Sequence, residues 1–211
     1  WAALQPDEST YDFSKVDKIM KLVKDNGLKV CMATSTAAHP AWMARKYPDI
    51  LRVEHNGMKR KFGARHNSCP NSPNYRKYSA ALVEKIAERY KDYDNIVAWH
   101  INNEFGGWCY CENCEKAFRV WLQKKYGTLD ELNRVWNTSF WSHTMYDWDD
   151  VAACNMLSEE FLWDGQIRTN FQGISLDYNR FNSDSMLECF NIEKDVLKRI
   201  TPDIPVTTNL M

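Results

Sequence analysis

No stretch of this 211-residue chain is apolar for long enough to cross a bilayer as a helix, which takes ~20 residues. Charge of one sign is equally scarce: 27 basic and 28 acidic residues leave a formal net charge of -1. There is no basic stripe of the kind that tracks nucleic acid, and no acidic solvating tail. Glycine and proline number only 8 and 7, and the chain has no internal repeat, low-complexity tract or flexible linker. That excludes repeat arrays and leaves one domain, or part of one. Trp1 heads a mixed segment with no secretory signal, so a cytoplasmic protein is expected. What the chain does have is apolar and aromatic: 44% hydrophobic and 13% aromatic residues, with nine Trp, enough for a real core. A start without Met, and a last apolar run Val206–Met211 with no helix after it, read as ends internal to a larger protein.

Helix and strand patterns alternate. Phe13, Val16, Ile19, Met20 and Val23 recur at helical spacing, with Gly27 where a C-terminal cap belongs. Leu28 to Ala33 reads as a short strand, and residues 47–73 as a long polar loop of the sort that is often functional. Tyr78, Leu82, Ile86 and Tyr90 mark a helix, and Ile96 to Ile101 a strand. A further helix carries Ala117, Phe118, Trp121 and Leu122 and stops before Gly127; Thr128 and Glu131 are spaced as a capping box for the next. Residues 139–165, rich in Trp, Asp and Asn, read as irregular, followed by a long amphipathic stretch to about Ile200 and a final strand. Such alternation is the grammar of a (β/α) barrel or an open parallel sheet.

The strand Ile96-Val97-Ala98-Trp99 delivers Asn102, Asn103 and Glu104 and then breaks at Gly106 and Gly107. In a parallel α/β sheet, side chains at strand ends leave the core and face a ligand. A carboxylate there, beside an amide and among aromatic residues, suits proton donation to a leaving group; a Glu pointing into solvent accounts for the same spacing. Seven cysteines include the compact cluster Cys109, Cys111 and Cys114. Its spacing supplies three thiolates of a tetrahedral zinc site that needs one more ligand, or else three reduced thiols. An odd count without a secretion signal argues against a disulfide framework. Cys31, Cys154 and Cys189 fall in apparent core or helix positions and are expected to be buried thiols.

A longer ordered set of pieces follows the chain from end to end. Trp1-Ala2, Leu4-Gln5-Pro6, Tyr11-Asp12-Phe13, Ala33-Thr34 and Pro40-Ala41-Trp42 come first. Arg65 with Cys69, Asn103-Glu104, the cysteine cluster and Lys125-Tyr126-Gly127-Thr128-Leu129-Asp130 follow. Phe140-Trp141-Ser142, Leu176-Asp177-Tyr178 with Arg180-Phe181, and Thr207-Thr208-Asn209-Leu210-Met211 complete it. In these pieces the chain resembles glycoside hydrolase family 42, the bacterial and archaeal β-galactosidases.

The resemblance implies a (β/α)8 TIM barrel, with residues 1–211 forming part of the catalytic barrel domain, from about the end of strand 2 to strand 6. It implies hydrolysis of terminal β-D-galactosides by a retaining double displacement, with Glu104 as general acid/base and Asn103 and Arg65 as substrate-binding residues. Without it, Arg65 reads as a surface charge in a loop. It also supplies Cys69 as the fourth ligand of a structural Zn²⁺ with Cys109, Cys111 and Cys114, tying the loop of Arg65 to the loop after Glu104. A homotrimer is the implied assembly. Two departures stand out: only four residues separate Glu104 from Cys109, where some relatives have more, and Gln5 replaces a common Glu.

Retention needs a second carboxylate ~5 Å from the first. Asp147, Asp149 and Asp177 are the nearest imitators, but none closes a β-run, and the nucleophile is expected beyond Met211. An isolated chain of these residues is therefore expected to be inactive. The rival readings are a related glycosidase acting on β-fucosides or α-L-arabinopyranosides, and a zinc-stabilised binding module without catalysis.

Overall fold

The computed structural model describes residues 1–157, 161–163, 166–169 and 171–209. These fall into two compact units: residues 1–51, 61–107 and 186–211, and residues 52–60 and 108–185.

The first unit is built on a parallel sheet of order β1-β2-β5, with β1 at Val30–Ala33, β2 at Ile96–His100 and β5 at Val206–Thr207. Helix α1 (Ser14–Asp25) precedes β1, and α2 (Ala41–Lys46) and α3 (Pro73–Tyr90) connect β1 to β2. Both strand connections are long because parallel neighbours require a crossover rather than a hairpin. Helix α3 starts where its sequence dictates. Ser72 accepts a hydrogen bond from the Tyr75 amide at 3.1 Å, and Pro73 occupies the first turn, where its missing N–H costs nothing. Asp49 holds that start from outside, accepting from Ser72 Oγ at 2.5 Å and Asn74 Nδ2 at 2.9 Å.

One face of α3 carries Leu82, Val83, Ile86, Ala87 and Tyr90, all completely buried. They pack with Met20, Trp99, Ile101 and Leu197 in one cluster. Burying such side chains contributes about 1.5–3 kcal/mol each. Trp99 sits at the centre of the sheet, opposite Met32 on one side and Val206 on the other. Its indole N–H reaches Thr201 Oγ1 at 2.9 Å, so its one polar atom is satisfied in the core.

The second unit holds α4 (Glu112–Tyr126), α5 (Leu129–Trp136) and a β3–β4 hairpin of Phe161–Trp163 and Gln166–Arg168. Gly127 takes φ 75° to end α4, and Thr128 accepts from the Glu131 amide to begin α5. Helix α6 runs from Gln172 to Ile200. Near its start, a Cβ on Gly173 would lie 2.7 Å from the Trp136 ring, so glycine permits that close approach. Phe118, Tyr178 and Phe181 form an aromatic core, Phe118 meeting Tyr178 edge-on at 4.9 Å. Asp177, 1% exposed, gathers Lys125, Tyr126, Trp136 and Arg180 around one carboxylate.

Helices α1, α3, α4, α5 and α6 and strands β1 and β2 lie where the periodicity predicts. Neither strand of the β3–β4 pair was expected: β3 falls in the irregular 139–165 stretch, of which residues 158–160 and 164–165 lie outside the described residues, and β4 at the start of the amphipathic stretch after it. Leu210 and Met211 of the predicted final strand also lie outside them; β5 itself is only two residues long. One expectation is corrected: Cys31 is exposed, while Cys154 and Cys189 are buried. Strand alternation explains it, because Cys31 and Met32 point to opposite faces of β1. No helix among the described residues is long and apolar enough to cross a membrane.

Candidate active site

Strand β2 ends at His100, and the following four residues turn sharply. Asn102 and Glu104 both adopt left-handed backbone, at φ 55° and 49°. That region suits asparagine and is uncommon for glutamate, so it persists only where surrounding contacts fix it. Here they do. Asn102 donates its amide N–H to Thr34 Oγ1 at 2.8 Å, just past the end of β1. Its side-chain oxygen accepts from the Asn103 N–H at 2.7 Å, and its Nδ2 donates to Tyr75 Oη and Thr36 Oγ1 at 3.0 and 3.1 Å. Asn102 is buried, whereas Asn103 and Glu104 are half-buried.

The Glu104 carboxylate has two neighbours of different kinds. Arg65 Nη2 lies 2.7 Å from Oε2 as an ion pair. Oε2 nevertheless has no well-directed hydrogen-bond donor, so the contact is charge against charge rather than a forked, aligned pairing. Asn209 donates from Nδ2 to Oε1 at 3.1 Å. His66, next to Arg65, lies with Nε2 2.9 Å from the Asn103 carbonyl. Arg65, Asn103 and Glu104 are thus brought together past the C-terminal ends of the parallel strands. Asn209, placed there by β5, is a member the sequence reading assigned no role; its position just after the last strand was the available signal.

The cysteines that the sequence singled out also converge. The sulfurs of Cys69, Cys109, Cys111 and Cys114 lie within 4.8 Å of one another. Cys69, Cys109 and Cys114 are buried and Cys111 half-buried. Sulfurs in a tetrahedral zinc–thiolate site stand roughly 3.8 Å apart, given Zn–S bonds of ~2.3 Å, so the donor set and its spread fit such an ion. The backbone around two of these residues is well anchored. The Cys69 N–H donates to Ile50 O at 2.7 Å, and Tyr178 Oη donates to Cys109 O at 2.7 Å. Four thiolates around one metal leave no open position for water, so a metal here is structural in character.

The three carboxylates nearest to imitating a nucleophile are occupied elsewhere. Asp147 caps a 3-10 turn at Trp148–Asp150. Asp149 pairs with Arg119 at 2.9 Å. Asp177 is the buried hub of α6. None of the three stands at a strand end.

Known proteins match this chain along its whole length. The chain matches the glycoside hydrolase family 42 β-galactosidase model over residues 1–211. β-Galactosidase BgaP of Planococcus sp. strain L4 is 58% identical over 211 residues, all of this chain and 31% of that protein. The crystal structure of a β-galactosidase from Bacillus circulans sp. alkalophilus is similar at TM-score 0.95 and 66% identity, again over 100% of this chain and 31% of that one. A β-galactosidase from Rahnella sp. R3 gives TM-score 0.92 at 38% identity over 100% of this chain and 30% of that one. The chain therefore spans about a third of the length of the relatives it matches, and forms a segment, with helices and a small parallel sheet, of the TIM-barrel fold of these enzymes. With its whole length matched, this chain belongs to glycoside hydrolase family 42.

Proposed function

We propose that the complete protein hydrolyses terminal β-D-galactosides with retention of configuration, and that these residues supply the acid/base half of its site. The carrying observation is the Arg65–Glu104 ion pair just beyond the C-terminal end of β2. That is where barrel enzymes place reacting groups. Glu104 gives its proton to the departing glycosidic oxygen in the first step. In the second it takes a proton from the water that attacks the glycosyl-enzyme. Asn103 holds a sugar hydroxyl, and Arg65 exchanges part of its contact with Glu104 for the sugar. The nucleophilic carboxylate is contributed by sequence beyond Met211. The barrel span from about the end of strand 2 to strand 6, a single catalytic domain over residues 1–211, a cytoplasmic location and a homotrimeric assembly accompany this reading.

Cys69, Cys109, Cys111 and Cys114 would hold a structural Zn²⁺, which braces the backbone of the residues that carry it and takes no part in the reaction.

The test uses the complete gene product on aryl β-D-galactosides, with β-D-fucosides and α-L-arabinopyranosides alongside. The expected outcome is galactoside preference with the β-anomer as first product by NMR. Glu104→Gln should lose about 100-fold or more on substrates with poor leaving groups. Release of the α-anomer, or a Glu104→Gln enzyme of unchanged rate, would overturn the proposal.

A further inference from the structure

Helix α6 places one acidic side chain, Glu193, inside the protein at 1% exposure. Its Oε1 accepts from Thr36 Oγ1 at 2.7 Å. Because the Thr36 proton goes to Glu193, Thr36 Oγ1 is left as an acceptor. It takes a hydrogen bond from Asn102 Nδ2 at 3.1 Å and faces the Thr34 hydroxyl at 3.2 Å. Thr34 in turn accepts the Asn102 backbone N–H at 2.8 Å. The donors therefore all run one way, from the Asn102 N–H through Thr34 and Thr36 to a final acceptor on Glu193. Tyr75 closes the group, donating to the Thr36 carbonyl at 3.2 Å and accepting from Asn102 Nδ2 at 3.0 Å.

We propose that Glu193 is a positioning residue for catalysis, the terminal acceptor of a buried hydrogen-bond chain through Thr36 and Thr34 that locks the left-handed turn of Asn102 and so aims Asn103 and Glu104. The inference rests on the reading of Glu104 as the proton donor. Glu193 touches neither Glu104 nor any group assigned to the sugar; it acts through Asn102, whose side-chain oxygen fixes the next peptide. Glu193 Oε2 is buried without a hydrogen-bond partner, so the network ends on Oε1, and loss of that acceptor unsettles the chain behind it. Burial pushes the Glu193 carboxyl up to about 7, so it keeps its proton at pH values where a free carboxyl is ionised, and a glutamine imitates that neutral form.

This makes the test specific. In the complete enzyme, Glu193→Gln keeps an acceptor for Thr36 in an uncharged side chain, Glu193→Leu removes it, and Thr36→Val removes the link while keeping shape. Each is assayed on a phenyl β-galactoside, whose leaving group needs a proton, and on a dinitrophenyl β-galactoside, whose leaving group does not. A misaimed acid lowers kcat/KM, which reports the glycosylation step, by about tenfold or more on the phenyl substrate while sparing the dinitrophenyl one. We expect this split for Glu193→Leu and Thr36→Val, and near wild-type behaviour for Glu193→Gln. If Glu193→Leu does not fold, Thr36→Val decides. Equal losses on both substrates, or no loss, in Thr36→Val overturn the inference. Glu104→Gln, run in parallel, separates the two readings. If it too lacks the split, the assignment of the acid fails; if only it shows the split, the positioning role fails.

Discussion

Asn209 holds Glu104 at two points. Its side-chain oxygen accepts the Glu104 backbone N–H at 3.0 Å, and its Nδ2 donates to Oε1 at 3.1 Å. One amide thus fixes both the peptide and the carboxylate of a residue with unusual backbone geometry. In the complete enzyme, Asn209→Leu should lower kcat/KM for galactosides by up to about 100-fold, because small misplacements of a reacting group are costly. Global stability should change by only about 1–3 kcal/mol, the scale of the hydrogen bonds lost. Kinetics on purified variant together with its thermal melting check both halves.

Metal removal gives a second expectation. The complete protein, purified without chelator, should carry one Zn²⁺ per chain, and Cys69→Ser should lose it. Stripping it should lower the melting temperature, since metal bound only by the folded state adds directly to folding free energy. Cobalt substitution should give the thiolate-to-metal absorption of a four-sulfur site. A fully active, metal-free preparation with an unchanged melting temperature would count against the site.

Stability should also report on Glu193. Its folded-state value of about 7 lies above the ordinary 4.5, so the folded protein holds that proton more tightly than the unfolded chain. The contribution is complete below about pH 4.5, and falls by about 3 kcal/mol as pH rises to 7 and beyond. Glu193→Gln cannot titrate and should abolish this fall, gaining on the wild type at pH 8 relative to pH 4.5. His39, pushed down to about 4 by burial, acts in the opposite sense, losing stability as pH drops. Only the difference between wild type and the Gln variant isolates Glu193. Chemical denaturation across that pH range measures it.

These 211 residues expressed alone should not turn over a chromogenic β-galactoside, whereas the complete gene product should. An acid without its nucleophile cannot form the glycosyl-enzyme. Comparable rates from the two proteins would show that a nucleophile lies within residues 1–211 after all.

The parts legible in the sequence are those set by local pattern. The apolar spacing of α3 is readable along a few residues, and so is the run that becomes β2. Resemblance carried the grouping of Arg65 with Glu104 and of Cys69 with the cluster, because nothing local pairs residues so far apart. Missed were the supports. Asn209 and Glu193 reach the turn after β2 only through the paths of β5 and α6, and an asparagine or glutamate alone carries no sign of such a path. Cys31 was misplaced because a short apolar run does not say which of its two faces is covered.

The residues that hold Glu104 and the turn carrying it arrive at different times in synthesis. Thr34, Thr36, Arg65 and Tyr75 precede it in the chain, but Asn209 comes 105 residues later. On a ribosome adding about 5–20 residues per second, the turn waits several seconds or more for that clamp. Closing so long a loop also carries an entropic cost that local turns escape. The acid is therefore finished late, and a truncated product ending anywhere before β5 would hold Glu104 in a turn lacking one of its two walls.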